Sequence, residues 1–234
     1  MDIQAGRILY EDNHIIAVNK LPGEIVQSDS YGDESLVEWT KKYLKIRYNK
    51  PGNVFCGVVH RLDRPVSGVV LFARTSKALT RLNGMLRDRK IRKIYWLITR
   101  QAPPSAEGIA EGYIWRKTSL NKSFFSPEPL PGALPARLTY RHLHAFRHHN
   151  LVEVDLHTGR HHQIRATMEY LGCPIAGDVK YGDEKGFKDR SIALHARMVQ
   201  FQHPVSGSPL IIKAPLPTGG IWEKLKVPEI AKIF

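Results

Sequence analysis

The amino-acid sequence predicts an α+β domain with a mixed sheet, and three observations carry that expectation. Short apolar runs with strand-like alternation recur along the chain, interspersed with only a few stretches at helical spacing. No internal repeat or low-complexity tract breaks the pattern. At 234 residues and 42% hydrophobic composition the chain can bury a full core, as one domain spanning residues 1–234 with room for two lobes.

The elements follow in order. Arg7-Ile8-Leu9-Tyr10 and Ile15-Ile16-Ala17-Val18 are strand-like runs joined by Glu11-Asp12-Asn13-His14, a hairpin pattern. Leu36, Thr40, Tyr43 and Leu44 lie at helical spacing behind Asp33, which is expected to cap the first turn. A second helix starts at Thr75 or Ser76, carries Leu79, Leu82 and Leu86 as its stripe, and ends in Arg87, Arg89 and Lys90, cations suited to the negative end of the helix dipole. Ile94 to Ile98 reads as a buried strand. Gln101 to Pro135, with Pro103-Pro104 and Pro127-Glu128-Pro129-Leu130-Pro131, is expected to be irregular, a loop or rim. Val152, Val154 and Leu156 alternate with Glu153, Asp155 and His157 as a half-buried strand, and Ile164, Met168 and Leu171 carry a helix stopped by Gly172 and Pro174.

Composition limits the function. Lys+Arg number 35 against 22 Asp+Glu, a formal net charge of +13, which draws a polyanion by raising local phosphate concentration and releasing counterions on contact. No apolar run approaches the ~20 residues of a spanning helix, and no amphipathic terminal anchor stands out, so a membrane partner is not expected. Met1-Asp2-Ile3-Gln4 has neither the basic start nor the apolar core of a secretory signal, and a cytoplasmic location is expected. Cys56 and Cys173 are far apart in apolar or turn-like settings and are read as packed thiols rather than a disulfide.

The most informative stretch is His60-Arg61-Leu62-Asp63-Arg64-Pro65-Val66-Ser67-Gly68, which sets one carboxylate among cations in a loop before the apolar run Val69 to Ala73. Pro65 fixes one backbone angle and Gly68 frees another, so the loop can hold Asp63 in a defined pose. Two uses fit those residues by themselves: a catalytic carboxylate, or a turn aspartate capping local backbone donors.

His-Arg-Leu-Asp followed by Ser-Gly resembles the signature of the RluA-type pseudouridine synthases, and further blocks resemble that family in the order it uses. These are Leu9-Tyr10-Glu11-Asp12 through Asn19-Lys20-Leu21-Pro22-Gly23, then Lys93-Ile94-Tyr95, then Thr158-Gly159-Arg160-His161-His162-Gln163-Ile164-Arg165 with Gly177-Asp178 and Lys180-Tyr181-Gly182. Leu194-His195-Ala196 to His203-Pro204 and Ala214-Pro215-Leu216-Pro217 complete the series, so the resemblance spans nearly the whole chain. It implies the pseudouridine synthase fold: a single catalytic domain with a largely antiparallel central sheet, flanking helices and a cleft across the sheet. It also implies the isomerisation of uridine in transfer or ribosomal RNA by an enzyme without cofactor or metal, acting as a monomer. The chain begins at the first hairpin of such a domain, so RNA recognition is expected from the catalytic domain itself.

That chemistry breaks the bond between ribose C1′ and uracil N1 and rejoins the base through C5, with no redox change. An ionised carboxylate suits it, and Asp63 is the expected catalytic residue. The resemblance assigns Arg165 as the cation that keeps Asp63 charged, and Tyr95 as the ring that stacks on a flipped uracil. It assigns Arg61 to fill the space the uridine leaves. Arg160 and Lys20 are expected to lend positive potential at the mouth of the cleft, and Leu194 to pack against the base pocket. Val66 stands where the family usually has Thr, and Thr167 where a His commonly follows the arginine, which bears on substrate detail more than on reaction class.

Two rival classes were weighed. His142, His144, His148, His149, His157, His161 and His162 crowd one region and could suggest a metal, but no HExxH or CxxC accompanies them, and solvated or RNA-facing histidines are the preferred reading. The other rival is a non-catalytic RNA-binding protein that keeps the synthase fold.

Overall fold

A computed structural model describes residues 5–28 and 33–232. Among the described residues the strands are β1 (Ile8–Glu11), β2 (Ile15–Lys20), β3 (Gly57–Val58), β4 (Ser67–Ala73), β5 (Arg92–Thr99), β6 (Glu107–Lys117), β7 (Lys122–Ser126), β8 (Leu134–Ala145), β9 (Asn150–Leu156), β10 (Leu194–Gln202) and β11 (Pro209–Lys213). The α-helices are α1 (Leu36–Arg47), α2 (Ser76–Arg87), α3 (Gln163–Tyr170), α4 (Gly220–Lys224) and α5 (Val227–Ile230). The fold is α+β, and no helix among the described residues is long and apolar enough to cross a membrane. The chain divides into two compact units, Met1–Ile91 with Met198–Pro215 and Arg92–Arg197 with Leu216–Phe234.

In the first unit the expected hairpin is β1 and β2, and β2 continues antiparallel to β4 from Ile15 opposite Ala73 to Lys20 opposite Gly68. Every residue of β4 is buried, which is why it reads as a continuous apolar run instead of an alternation. Its core joins Ile15, Ala17, Val69, Leu71 and Ala73 to Ala78 and Leu82 of α2 and to Val199, Phe201 and Ile212. Thr75 caps α2, its side chain accepting from Ala78 N at 3.1 Å. For α1 the cap is Ser35, not Asp33. A cap must directly precede the first helical residue to reach its free N–H groups, and Ser35 sits next to Leu36 while Asp33 ion-pairs with Arg64 at 2.8 Å.

The second unit pairs its strands in the order β5-β9-β8-β6-β7, each antiparallel to the next. The segment expected to be irregular is so only in part: 101–106, 118–121 and 127–133 lie outside the strands, while β6 runs eleven residues without interruption and β7 another five. Gly108 and Gly112 hid this strand, because glycine lowers strand propensity, yet both are demanded by close approach. A β-carbon on Gly108 would run into the Tyr140 ring, and one on Gly112 into the Ser126 carbonyl oxygen. The helix expected after Gly159 is α3; Gly172, at φ 73°, ends it, and Cys173 N donates to Met168 O at 3.0 Å. Cys56 and Cys173 are free and buried, and burial pushes their thiols up to about 12 and about 11.

Two glycine substitutions should move stability in opposite directions. Gly112→Ala meets a backbone carbonyl that cannot turn aside, at a cost of roughly 1–3 kcal/mol. Gly84→Ala, inside α2 with only the tip of Arg87 nearby, should stabilise by about 0.5–1 kcal/mol. Urea unfolding midpoints of both variants against the parent chain measure the two effects.

Candidate active site

In the first unit, Asp63 heads a tight turn closed by Val66 N donating to Asp63 O at 3.0 Å, with Arg64 and Pro65 at its centre. Gly68, at φ 116°, lets the chain leave this turn directly into β4. Asp63 is half-buried, and Arg61 beside it is exposed, with no hydrogen bond or ion pair among the described residues.

Lys20 sets the shape of this turn. It was expected at the mouth of a cleft, but its side chain is fully buried at the end of β2, and Nζ donates to Val66 O at 2.6 Å, Arg64 O at 3.0 Å and Leu21 O at 3.1 Å. The alternation of β2 explains the correction, since Lys20 lies opposite Gly68 inside the buried sheet. Gly23 N adds a further bond to Arg64 O at 2.8 Å. Burial pulls the Lys20 ammonium down to about 7; Glu24 and Asp63 oppose the shift, and Arg7 and Arg64 reinforce it.

In the second unit, Tyr95 lies on β5 opposite Val154 and is 7% exposed, and Leu194 opens β10 at 3%. Arg165 is buried in the first turns of α3 and forks onto Asp178, Nε to Oδ2 at 2.7 Å and Nη2 to Oδ1 at 2.8 Å. Its guanidinium also lies 4.8 Å from the centre of the Tyr181 ring. This is a site member that the sequence reading missed as a partner. A buried guanidinium requires a carboxylate, and the Gly177-Asp178 block contained one.

Tyr181 is fully buried and holds that platform in place. Ser123 N donates to its hydroxyl at 2.8 Å, and the hydroxyl lies 2.8 Å from His162 Nδ1. Burial foremost, then the neighbouring Arg165, His161, Lys180 and Arg116, pulls His162 down to about 2, so the imidazole is neutral and Nδ1 can accept the phenolic proton. Ser123 Oγ also meets His161 Nδ1 at 2.8 Å. No local signal in the sequence pointed to Ser123, because its role depends on where β7 packs.

Arg160 is half-buried, and its Nε donates to Pro135 O at 3.0 Å. Gln163 ties its loop down: Oε1 accepts from Thr158 Oγ1 at 2.8 Å and Arg160 N at 3.0 Å. Val66 and Thr167, the two departures from the family pattern, are both buried, and the Thr167 hydroxyl has no hydrogen-bond partner among the described residues. A bulge between His142 and His144 breaks their alternation on β8, and among the described residues no group of three or more His, Cys, Asp or Glu side chains could hold a metal.

A model of the RNA pseudouridylate synthase family matches residues 14–170. The chain belongs to that family. Ribosomal large subunit pseudouridine synthase D of Vibrio cholerae serotype O1 is 33% identical over 240 residues, covering 97% of this chain and 72% of that protein. Ribosomal large subunit pseudouridine synthase C of the same organism is 32% identical over 216 residues, covering 89% of this chain and 65% of that protein. The chain thus spans about two thirds of the length of such curated relatives. The solved structure of human RNA pseudouridylate synthase domain containing 4 superposes with a TM-score of 0.78 at 24% identity, over 90% of this chain and 88% of that one, and supports the fold.

Lys20 should leave a pH signature in stability. Its folded value of about 7 lies below the ~10.4 of an unfolded lysine, so between those values the unfolded chain holds more protons and stability rises with pH. Below about 7 both states are protonated and the penalty for burying the charge is complete. Denaturant titrations from pH 6 to 10 should show the stability of the parent chain rising relative to Lys20→Met across this window. A constant difference would exclude the assignment.

The Arg165 platform yields a graded pair. Asp178→Ala leaves a buried guanidinium without its carboxylate and should cost about 3–5 kcal/mol. Tyr181→Phe keeps the ring beneath the guanidinium and loses only the hydroxyl bonds, a cost of about 1–3 kcal/mol. Calorimetric midpoints of the two proteins, measured side by side, test the order.

Proposed function

We propose that this protein converts specific uridines in RNA to pseudouridine with Asp63 as the catalytic carboxylate, and that ribosomal RNA of the large subunit is its substrate, with transfer RNA the second choice. Family membership carries the reaction class. The names of the relatives favour ribosomal RNA. The observation that supports Asp63 is the construction around it: a half-buried carboxylate at the head of a turn whose carbonyls are held by the buried Lys20 ammonium, with Arg61 and Arg64 exposed on either side. Such a carboxylate is positioned in advance.

In this reading the C1′–N1 bond breaks, the detached uracil turns, and C1′ bonds to C5. The proton leaving C5 is matched by the one gained at N1, so no group is gained or lost overall. The carboxylate acts in one of three ways: by attack at C1′, where it meets the positive charge developing on the ribose, by attack on the uracil ring, or as a base on the sugar. Tyr95 and Arg165 serve the same uridine, the tyrosine by stacking on the turned base and the arginine as the buried cation of the site. Arg61, without a partner of its own among the described residues, fills the space left by the flipped nucleotide. Arg160 takes a phosphate and Leu194 packs against the base.

Asp63→Asn should fold and bind RNA with unchanged affinity yet form no pseudouridine, because the amide keeps the shape and removes the charge. Pseudouridine mapping in RNA from cells lacking the protein, complemented with either form, identifies the target and tests the residue together. Arg165→Met should slow turnover, because it removes the guanidinium that Asp178 and Tyr181 hold in place. Affinity should fall linearly in log–log form with salt, and Arg160→Gln should flatten that line by roughly 0.7–0.9 while Tyr95→Phe leaves its slope unchanged. Wild-type product formation by Asp63→Asn would remove the aspartate from the mechanism.

A further inference from the structure

The hairpin of β6 and β7 carries a pattern that the reaction does not use. From Gly112 to Pro127 the chain contains no Asp or Glu and three cations, Arg116, Lys117 and Lys122. Strand alternation divides its residues between two faces. Ile114, Ser123 and Phe125 turn toward α3, where Ile114 and Phe125 pack with Ala136, Ala166 and Tyr181. The opposite face presents Tyr113 and Trp115 from β6 and Phe124 from β7, all half-exposed.

Trp115 and Phe124 are direct partners in the ladder, and their rings stack with centroids 4.6 Å apart and planes at 19°. Tyr113 lies two residues along the same strand face. At the tip Lys117 is exposed, its side chain with no hydrogen bond or ion pair among the described residues, while the neighbouring Arg116 lies on the other face opposite Ser123 and holds the Asn121 side chain at 2.9 Å. Lys122 is committed to Glu169 at 2.8 Å and is not available. A cross-strand aromatic pair stabilises a hairpin by itself. That does not account for three rings left half-exposed on one face beside the exposed Lys117, where the nearest carboxylates, Glu111 and Glu169, are each held by a cation, Arg137 at 3.1 Å and Lys122 at 2.8 Å.

We propose that this face is a base-stacking platform for an unpaired RNA segment flanking the modified uridine: Trp115, Phe124 and Tyr113 receive bases, and Lys117, on the same strand face, receives a phosphate between them. The assignment rests on RNA being the substrate and adds where a neighbouring strand is held. Aromatic rings accept any base because every base has a π face, and a face whose carboxylates are neutralised while Lys117 stays exposed suits a phosphodiester chain. The platform lies on the sheet face away from α3 and Arg165, so it grips flanking RNA and does no chemistry.

The experiment uses the full chain with two labelled RNAs, a mixed-sequence single strand and a blunt duplex. Trp115→Ala should weaken single-strand binding about tenfold or more and leave duplex binding and the salt slope unchanged, while Trp115→Tyr restores binding. Lys117→Gln should flatten the salt slope for the single strand by about 0.7. Single strands carrying 5-iodouridine should photocrosslink to Trp115, Phe124 or Tyr113 in the unmodified protein, a readout that needs no variant to fold. Crosslinks elsewhere, or a folded Trp115→Ala that binds the single strand like the parent, would overturn the platform. If the parent binds neither RNA, the RNA reading itself fails. If it binds RNA and makes pseudouridine while Trp115→Ala matches it, only the platform fails.

Discussion

A lysine ammonium cut off from water must find oxygen for its protons, and Lys20 finds three main-chain carbonyls, two of them in the turn that begins at Asp63. Burying that charge is unfavourable, as the depression of the group to about 7 shows. The bonds that compensate it fall on the backbone of Arg64 and Val66, so the turn cannot relax without stranding a buried cation. Pro65 and Gly68 permit the shape, and Lys20 enforces it.

The second unit repeats the device with different chemistry. Arg165 is buried and forked onto Asp178, with the Tyr181 ring against its plane. Removing one partner of such a pair is costly because it strands a buried charge, so each group holds the other in position. The phenol is fixed in turn by Ser123 from β7 and by a histidine held neutral. An edge hairpin thereby helps to determine where a guanidinium sits.

That hairpin shows how packing overrides local preference. Gly108 and Gly112 lower strand propensity in β6, but a side chain at either position would collide with Tyr140 or with the Ser126 backbone.

Elements with periodic apolar residues were legible from the sequence, β2, β4, β5, β9, α2 and α3 among them, because burial of one face imposes a spacing that local composition records. Asp63 stood out because a carboxylate between two arginines in a Pro-Gly bounded turn is a contiguous pattern, whereas Tyr95 and Arg165 were named only through the resemblance of their motifs. Lys20 was visible as a residue but not as a buried one, because its depth depends on β4 covering it. Asp178 and Tyr181 stood in a readable block without a stated partner, and Ser123 carried no signal. The sequence by itself determined the α+β class, the basic character and the turn around Asp63, which depend on nearby residues. Only the tertiary structure decided which cation is buried, which carboxylate Arg165 grips and that 107–117 is a strand, because each depends on contacts between residues distant along the chain.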